Sequence, residues 1–297
     1  MTVEVVVIGS ANADVVVQVE RRPGPGETVL GSDTVLAAGG KGANAAVASA
    51  LQGGRTALLG AVGDDQHGEL LRDSMSGAGV QLDLVRTTDR PTGAAYITVT
   101  PDGENTIVVS PGANSAVNVE QVDQARQAIA GAKVLLASLE VPLSAIERAV
   151  ALAQEAGTRA VLNLSPVATL SPQTLAALDP LVVNEHEAQW LLDGETDLRK
   201  LLDLGPRSAV VTLGGAGALV IERDGTTEVT SPKVTAVDTT GAGDAFAGAL
   251  VTQLAAGDDL VAAARRAARV AAVSVTRPGA QASYPTRGEV DSTEGMV

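Results

Sequence analysis

Residues 237–246 read Val237-Asp238-Thr239-Thr240-Gly241-Ala242-Gly243-Asp244-Ala245-Phe246. An apolar, strand-like run ends here, small residues and two glycines follow, and Asp244 opens a helical pattern. Such a turn directs several backbone N–H groups into one concavity at a helix N-terminus, where unpaired N–H groups and the helix dipole favour an anion. A carboxylate beside a bound phosphate has a chemical use, because it can take the proton of a hydroxyl that attacks the phosphate.

Around this turn the chain alternates short apolar runs with amphipathic or Ala-rich segments. The run Val3 to Ile8 is continuously apolar and rich in β-branched residues, as expected of a strand buried on both faces. Strands separated by helices indicate a parallel sheet that is covered on both faces. We predict further strands over 56–62, 134–137, 160–163, 181–184, 210–213 and 218–221. We predict helices over 42–51, 67–77, 119–129, 143–156, 185–192, 243–256 and 260–275.

Two other segments alternate apolar and polar residues, which is typical of strands with one solvated face. Residues 15–36 are interrupted by the Pro/Gly-rich residues 23–26, and residues 94–109 by the turn-forming residues 101–105. We expect these segments to form a small sheet that projects from the main body. Residues 286–297 are polar, and we expect them to be loosely held.

The composition excludes several classes of protein. The 297-residue chain is 45% hydrophobic, enough for a packed core, and its length predicts one large domain with an appendage. Its 35 acidic residues outnumber 21 basic ones, which argues against a nucleic-acid-binding face. The absence of Cys and the presence of only two His exclude disulfides, thiolate catalysis and Cys- or His-rich metal sites. With no apolar run of membrane-spanning length and no basic leader, we expect a cytoplasmic protein.

Two polar segments near the N-terminus are candidate ligand contacts. Asn12 and Asp14 follow the first strand, and ligands bind beyond the carboxyl ends of strands in open α/β sheets. They can hydrogen-bond to the hydroxyls of a polyol, or they can form an Asx turn. Residues 39–44 read Gly-Gly-Lys-Gly-Ala-Asn. Their glycines allow a ligand to approach the backbone, and Lys41 and Asn44 add hydrogen-bond donors. Taken alone, however, the segment is better explained as a helix-capping loop with a solvated lysine.

Further polar groups stand at other predicted strand ends. Glu140 follows an apolar run directly, where it can hold a ligand hydroxyl or simply lie exposed. Asn184 and Glu187 provide oxygen atoms that suit Mg²⁺, but their spacing also fits a capping box. Residues 212–217 connect two strands as either a nucleotide-binding loop or a tight turn. Residues 277–283 can offer carbonyl oxygens to a monovalent cation or form a plain loop.

Taken in this order, the segments resemble the ribokinase-like carbohydrate kinases, the PfkB family. The family's two signatures look like residues 39–44 and 238–244, and the resemblance extends from Gly9 to Ser283. It implies a single kinase domain over residues 1–297, with a three-layer α/β/α body and a central, mostly parallel sheet. The strands within 15–36 and 94–109 would then form a small protruding lid.

The same resemblance implies ATP-dependent phosphorylation of the primary hydroxyl of a free sugar, with D-ribose favoured by the polar residues of the two N-terminal segments and Glu140. It implies that Asp244 is the general base and that the N–H groups of Gly241, Ala242 and Gly243 form an anion hole. The implied sugar contacts are Asn12, Asp14, Gly40, Lys41, Gly42, Asn44, Glu140 and Asp244. The implied nucleotide contacts are Asn184, Thr212, Gly214, Gly215, Gly217 and Gly243.

The implied cofactors are ATP, Mg²⁺ and K⁺, with Glu187 acting on Mg²⁺ indirectly. The implied K⁺ ligands are Asp238 and Thr240, Ser283, and the main-chain oxygens of Ser274, Arg277 and Gly279. Relatives can carry a polar residue near adenine where this chain has Ala268, so the adenine contacts are not assigned. The implied partners are a sugar and ATP, with no nucleic acid or membrane, and a homodimer through the lid would cover exposed strand edges.

Rival interpretations remain open at the level of the sequence. Fructokinase or deoxyribokinase activity fits the same motifs, and so does a sugar-binding regulator that has lost catalysis. Nucleoside kinases need aromatic partners for the base, and Tyr96 is the one aromatic residue in the predicted lid segments. A phosphosugar would need more cations than Lys41. A nicotinamide-binding enzyme is disfavoured because residues 9–12 do not begin a G-x-G-x-x-G motif.

Overall fold

The computed structural model describes residues 3–292, and within this range the chain forms thirteen strands and ten α-helices. The strands are β1 (Val5–Ile8), β2 (Asn12–Gln18), β3 (Val35–Gly39), β4 (Thr56–Gly63), β5 (Val85–Thr88), β6 (Gly93–Val99), β7 (Asn105–Ser110), β8 (Val134–Ser138), β9 (Arg159–Asn163), β10 (Leu178–Asn184), β11 (Ala209–Thr212), β12 (Gly217–Glu222) and β13 (Gly225–Thr230).

The α-helices alternate with the strands along most of the chain. They are α1 (Lys41–Leu51), α2 (Gln66–Gly77), α3 (Val119–Gln124), α4 (Arg126–Gly131), α5 (Leu143–Ala156), α6 (Pro172–Ala177), α7 (Glu185–Leu191), α8 (Ala242–Ala256), α9 (Leu260–Ser274) and α10 (Arg287–Ser292).

Nine strands form a central sheet in the order β13-β12-β11-β10-β9-β8-β1-β4-β5. All neighbouring pairs are parallel except β11–β12 and β12–β13. Alternate residues of β1 enter two separate cores: Val5 and Val7 pack with α1, α8 and α9, whereas Val6 and Ile8 pack with α5. The predicted mostly parallel sheet covered by helices on both faces is therefore confirmed.

A second sheet has four strands in the order β3-β2-β6-β7. The small sheet combines antiparallel pairs with a parallel β2–β6 pair, and it was expected from the residues 15–36 and 94–109. Its first two strands differ from the prediction, because β2 begins at Asn12 and β3 occupies Val35–Gly39, while most of 19–34 forms no strand. The Pro/Gly-rich break is thus far wider than a turn. The role of this sheet as a lid within one kinase domain stays a prediction.

Three local predictions were wrong. The helix expected over 119–129 is divided into α3 and α4 at Ala125. No strand precedes the Asp238 turn, since residues 231–237 have no regular structure and Val237 is held by a hydrogen bond from its N–H to the Val275 carbonyl, 2.7 Å. Part of the tail expected to be loose forms α10; the last residues of that prediction, 293–297, lie outside the described range.

Small residues bring α1 and α8 into close contact. Gly248 of α8 faces the Ala45 carbonyl and the Ala48 methyl group, where a Cβ would have no room. Helices rich in Ala and Gly can approach each other in this way without aromatic side chains between them. As a consequence, Asn44 near the start of α1 lies beside Asp244 at the start of α8.

Candidate active site

Asp244 lies in the first turn of α8, behind the N-cap residue Gly241. Gly241 has φ 73°, a left-handed conformation that glycine adopts without a Cβ penalty. The Asp244 side chain belongs to a residue that is only 6% exposed, yet it lines a cavity of about 360 Å³. Its Oδ2 accepts a hydrogen bond from Asn44 Nδ2 at 2.9 Å, and its Oδ1 has no such partner among residues 3–292.

The backbone turn before α8 lines the same cavity. The Gly241 carbonyl accepts a hydrogen bond from the Tyr284 hydroxyl at 2.9 Å, which fixes the turn from outside. The Ala242 N–H donates to the Thr239 carbonyl at 3.2 Å. Within the described part of the chain, the N–H groups of Gly241 and Gly243 have no backbone acceptor. Of the three predicted anion-hole donors, two are therefore free to bind an anion and one is engaged.

Burial and charge set the ionisation of the Asp244 carboxyl. Burial raises its pKa, the Lys41 ammonium and the Asn44 hydrogen bond oppose that effect, and the pKa comes to about 6. Burial by itself would lower the pKa of Lys41, but Asp244, Glu140 and Glu187 raise it above its ordinary value. The half-buried Lys41 thus lines the same cavity as the Asp244 carboxylate and remains charged at neutral pH.

Asn12 and Glu140 come together at the point where the small sheet leaves the central sheet. Glu140 Oε2 accepts hydrogen bonds from Ser10 Oγ at 2.5 Å and Asn12 Nδ2 at 3.5 Å. It also accepts one from the Lys41 backbone N–H at 3.3 Å. Asn12 Oδ1 accepts a hydrogen bond from Asn114 Nδ2 at 2.7 Å. These contacts join two segments that are distant in the sequence. We call the resulting surface, formed by Ser10, Asn12 and Glu140, the polar wall.

Asp14 extends this wall on β2. Burial, assisted by the nearby carboxylates of Glu140 and Asp244, raises the pKa of its carboxyl to about 7. Gly39 of β3 pairs with Asn12 in the sheet register, and a Cβ on it would collide with the Asp14 carboxyl group. The neighbouring carboxyl groups of Asp14, Glu140 and Asp244 provide hydrogen-bond acceptors for a ligand that carries several hydroxyls.

The glycines of residues 39–44 have a packing function that the sequence did not reveal. Gly40 has φ 88°, and a Cβ on it would meet the backbone of Ala11 and Asn12. A Cβ on Gly42 would meet the backbone of Gly9 and Ser10. These glycines allow the start of α1 to press against the loop after β1, which brings Lys41 and Asn44 to the site. The half-buried Lys41 contradicts the alternative of a solvated lysine in a plain capping loop.

Asn184 and Glu187 form the capping box that their spacing indicated. The Glu187 N–H donates to Asn184 Oδ1 at 2.8 Å, and the Asn184 N–H donates to Glu187 Oε2 at 2.7 Å. Both residues also line the cavity that holds Asp244. His186 lines it too and is exposed, as expected of a surface histidine. The two interpretations of this pair are therefore compatible, since a capped helix end also faces the cleft.

A second cavity of about 510 Å³ adjoins the first. Thr212, Gly214, Thr239, Ala242 and Gly243 line both cavities, so the two form one continuous cleft. One wall of the larger cavity is the loop between β11 and β12, which includes the predicted nucleotide contacts Gly215 and Gly217. The opposite wall is a face of α9. That face consists of Ala268, Ala271, Ala272 and Val275 at its end.

The predicted K⁺ ligands lie in two loops that the structure ties together. Asp238 accepts hydrogen bonds from the Thr240 N–H at 2.9 Å and from the Gly279 N–H at 2.8 Å. The Ser274 carbonyl accepts one from the Arg277 N–H at 3.3 Å. Ser283 is buried, and its hydroxyl donates to the Ala280 carbonyl at 2.9 Å. Among residues 3–292, no group of three or more His, Cys, Asp or Glu forms a metal cluster.

Several residues at the site were missed from the sequence. Asn163 and Ser165 line the smaller cavity, and Asn163 ends β9. A strand end was a usable signal for Asn163, because ligands collect at the carboxyl edge of a parallel sheet. Asn114 and Gln281 touch the site residues Asn12 and Asn44 from elements far away in the sequence. No local pattern reports such long-range contacts.

Comparisons with known proteins agree with this architecture. The pfkB family carbohydrate kinase profile matches residues 3–287. Ribokinase of Haemophilus influenzae is 37% identical over 292 residues, covering 95% of each chain. Deoxyribokinase of Salmonella typhi is 32% identical, covering 95% of this chain and 96% of its own. The structure of Arabidopsis thaliana ribokinase complexed with ribose and ATP superposes with a TM-score of 0.92 at 32% identity, covering 98% of each chain.

The chain belongs to the pfkB family of carbohydrate kinases. The fold, with its large mostly parallel sheet and its small second sheet, is the one seen in solved ribokinase structures. The family assignment also makes the protein an enzyme that transfers phosphoryl groups to sugars. None of the helices between residues 3 and 292 combines the length and the hydropathy that a bilayer crossing requires.

Proposed function

We propose that this kinase transfers the γ-phosphoryl group of ATP to the primary hydroxyl of free D-ribose, forming D-ribose 5-phosphate. One observation carries the proposal: the buried Asp244 carboxylate, the charged Lys41 and the N–H turn at residues 241–243 line one cavity. The similarity to ribokinases, one of them solved with ribose and ATP, supports both substrates.

Asp244 is the proposed general base. Since its pKa is about 6, the carboxyl group is mostly ionised at neutral pH. Asn44 occupies Oδ2, which leaves Oδ1 to accept the proton of the sugar hydroxyl. As the sugar oxygen bonds to the γ-phosphorus, the bond between that phosphorus and the β–γ bridging oxygen breaks. ADP leaves with the bond's electron pair, and the proton remains on Asp244.

The turn before α8 and Lys41 are proposed to neutralise the transferring group. Phosphoryl transfer depends on positioning and charge neutralisation more than on covalent help from the protein. The free N–H groups of Gly241 and Gly243 stand at the positive end of the α8 dipole. The Ala242 N–H can join them by releasing the Thr239 carbonyl, a contact of 3.2 Å.

The polar wall is proposed to bind the sugar. Asp14 and Glu140 can accept hydrogen bonds from sugar hydroxyls, while Asn12 and Asn44 offer amide groups from neighbouring positions. Gly40 and Gly42 contribute indirectly, because their lack of a Cβ lets the start of α1 pack against the loop after β1. In a buried site, a hydroxyl that is missing from the ligand leaves these groups unpaired, so the wall can select among sugars.

The larger cavity is proposed to hold the nucleoside part of ATP, and the smaller cavity its phosphates. Glycine residues 214, 215 and 217 leave the β11–β12 loop open to a flat or bulky group. Asn184 and Thr212 lie at the entrance to the phosphate side. Because the two cavities share lining residues, the triphosphate could extend from the larger cavity to Asp244 in the smaller one.

The residues present fit Mg²⁺ and K⁺. Glu187 is buried at the phosphate cavity and uses Oε2 in the capping box, so it suits Mg²⁺ through bound water. The Asp238 carboxylate, Thr240 and Ser283, with the carbonyls of residues 274, 277 and 279, offer oxygen atoms of the kind that suit K⁺. When bound, Mg²⁺ would neutralise phosphate charge and K⁺ would lend positive charge near the anion hole.

The direct test is ADP release from ATP and Mg²⁺ with a panel of pentoses, hexoses and nucleosides, followed by identification of the phosphorylated product. We expect D-ribose to give the highest kcat/KM. 2-Deoxyribose is the second candidate, because a deoxyribokinase is among the similar proteins. Ribose binding without ADP release would instead indicate a catalytically silent regulator, and it would contradict the proposal.

A further inference from the structure

A chain of buried hydrogen bonds ends at the proposed base. Asn44 Nδ2 donates to Asp244 Oδ2 at 2.9 Å, and Asn44 Oδ1 accepts from Gln281 Nε2 at 3.0 Å. Gln281 Oε1 in turn accepts from Ser74 Oγ at 2.7 Å. The chain therefore connects α2, the short 3₁₀ turn after α9, the start of α1 and the start of α8.

The amide groups in this chain are poorly accessible to water. Asn44 is 6% exposed and Gln281 is 8% exposed. A buried amide has one donor end and one acceptor end, and an end that faces the wrong partner costs a hydrogen bond that water does not replace. The Gln281 donor and the Asp244 acceptor therefore both favour the orientation in which Asn44 Nδ2 faces Asp244.

We infer that Gln281 is a positioning residue for phosphoryl transfer, which acts on Asp244 by fixing the orientation of the Asn44 amide. The inference rests on the proposed function of Asp244 as the base. With Asn44 Nδ2 held against Oδ2, the carboxylate keeps one rotamer and presents Oδ1 to the sugar. Without Gln281, the Asn44 amide is held at one end only, so the amide and the carboxylate that it contacts are fixed less firmly.

The segment that carries Gln281 also holds the proposed anion hole. The Gly279 N–H donates to Asp238 at 2.8 Å, and the Tyr284 hydroxyl donates to the Gly241 carbonyl at 2.9 Å. A change at Gln281 could thus act in two ways, either through Asn44 or by loosening the whole segment. The test has to separate these two effects.

Two substitutions probe the amide itself. Gln281→Met keeps the length of the side chain and removes its donor. We expect kcat with ribose and ATP to fall about 10- to 100-fold, the loss typical of a misplaced reacting group. Gln281→Glu places an acceptor opposite Asn44 Oδ1, so the Asn44 amide should rotate and turn its oxygen toward Asp244.

The rotated amide gives a signature in the pH profile. Asp244 would have to keep its proton to donate to the Asn44 oxygen, so the acidic limb of kcat/KM should move to higher pH in Gln281→Glu and much less in Gln281→Met. Because the charge of the new carboxylate also raises the pKa of Asp244, the larger shift supports the inference only if it disappears in the Asn44→Ala protein, and a shift that persists there would count against it. The charged or titratable groups that influence Asp244 are Lys41, Glu140, Glu187, Asp14 and Tyr284.

Gln52→Met is the matched control. Gln52 is also a buried glutamine, and its Nε2 donates to the Pro285 carbonyl at 2.8 Å, next to the same segment but without contact to Asn44. We expect this variant to lower the thermal midpoint while kcat and the pH profile stay as in the wild type. A loss of kcat equal to that of Gln281→Met would overturn the inference in favour of general loosening.

A double-mutant cycle with Asn44→Ala completes the test. If Gln281 acts through Asn44, Gln281→Met should cause no further loss of kcat in the Asn44→Ala protein. Additive losses would overturn the inference. The same cycle measured by urea unfolding reports on the contact alone, so it distinguishes a wrong contact from a wrong function. If the unfolding midpoints of the two substitutions are not additive but the wild-type protein phosphorylates no sugar, the contact between Gln281 and Asn44 is real and the proposed kinase function is wrong.

Discussion

At the scale of single residues, the site depends on how its carboxyl groups are charged. Asp14 and Asp244 have raised pKa values of about 7 and about 6, chiefly because both are buried. A base with a pKa near neutrality is ionised at working pH and still accepts a proton readily. Lys41 prevents the pKa of Asp244 from rising further, and so keeps the base available.

The first prediction concerns the pH dependence of kcat/KM. If Asp244 acts as the proposed base in its ionised form, activity should fall tenfold per pH unit below its pKa of about 6 and level off above it. Removing the nearby cation by Lys41→Met should raise that pKa and move the acidic limb to higher pH. Steady-state kinetics between pH 5 and about 8.5 would measure both curves. A wild-type rate that is flat across the acidic range would contradict the assignment.

At the scale of elements, the α9 face of the larger cavity suggests how the nucleotide is read. Ala268, Ala271 and Ala272 offer no polar side chain to the edge of a base. Apolar walls discriminate weakly, whereas sites built on hydrogen bonds reject wrong partners by about 10⁴-fold or more. This wall would then select the base by its shape, and the polar side chains in the lining, such as Ser231 and Lys233, belong to other segments.

The second prediction follows from that wall. We expect the kcat/KM values for ATP and GTP to differ by less than about 100-fold, measured with ribose as acceptor. Ala268→Asn, which adds a polar group to α9, should widen the difference. A wild-type preference for ATP beyond that range would show that backbone groups of the neighbouring loops read the base after all.

The third prediction concerns the two loops joined by Asp238. If they bind K⁺, activity should be higher in K⁺ than in tetramethylammonium at equal ionic strength. Asp238→Ala removes the carboxylate that accepts from Thr240 and Gly279, so the remaining activity should no longer depend on K⁺. Equal wild-type rates in both salts would contradict the proposed cation site.

The sequence predicted the elements well where periodicity was strong. The helices over 143–156 and 243–256 were anticipated to within a few residues, as were the strands of the central sheet other than its edge strands β5 and β13. β5 and β13 were missed, because both lie near sheet edges and carry polar residues that obscure the apolar run. The break between α3 and α4 at Ala125 was not predicted, because no Gly or Pro stands there. The irregular segment 231–237 was mistaken for a strand because it contains valines.

The sequence predicted only part of the site that the structure shows, and the reason is physical. The motifs pointed to residues that are proposed to contact ligands, such as Asp244 and Lys41. They do not identify residues such as Asn114 and Gln281, which hold the contact residues from distant elements. The packing function of Gly40 against Ala11 was equally invisible, since it depends on how α1 approaches the loop after β1.

At the scale of the whole molecule, the small sheet leaves an apolar surface uncovered. Leu36, Tyr96 and Val108 fall in register across β3, β6 and β7, joined through Val15 of β2. Their exposed fractions are 45%, 53% and 63%. Apolar rows of this kind on a sheet commonly mark an interface between chains.

The fourth prediction is that two chains pair through this surface. Light scattering should give the mass of a dimer for the wild type, and Val108→Lys should give a monomer, because a charge in the apolar row opposes burial. Val119→Lys is the control, since Val119 is exposed on α3 outside the small sheet. A monomeric wild-type protein would refute the predicted homodimer and leave the kinase proposal intact.

The central claim is that Asp244 deprotonates the sugar, and Asp244→Ala tests it most directly. A positioned base contributes about 10²- to 10⁴-fold, so kcat for ribose should fall by that factor while calorimetry shows ribose still bound. Asp224→Ala, which changes an exposed aspartate in the turn between β12 and β13, should keep the wild-type rate. A near-wild-type kcat in Asp244→Ala would contradict the account.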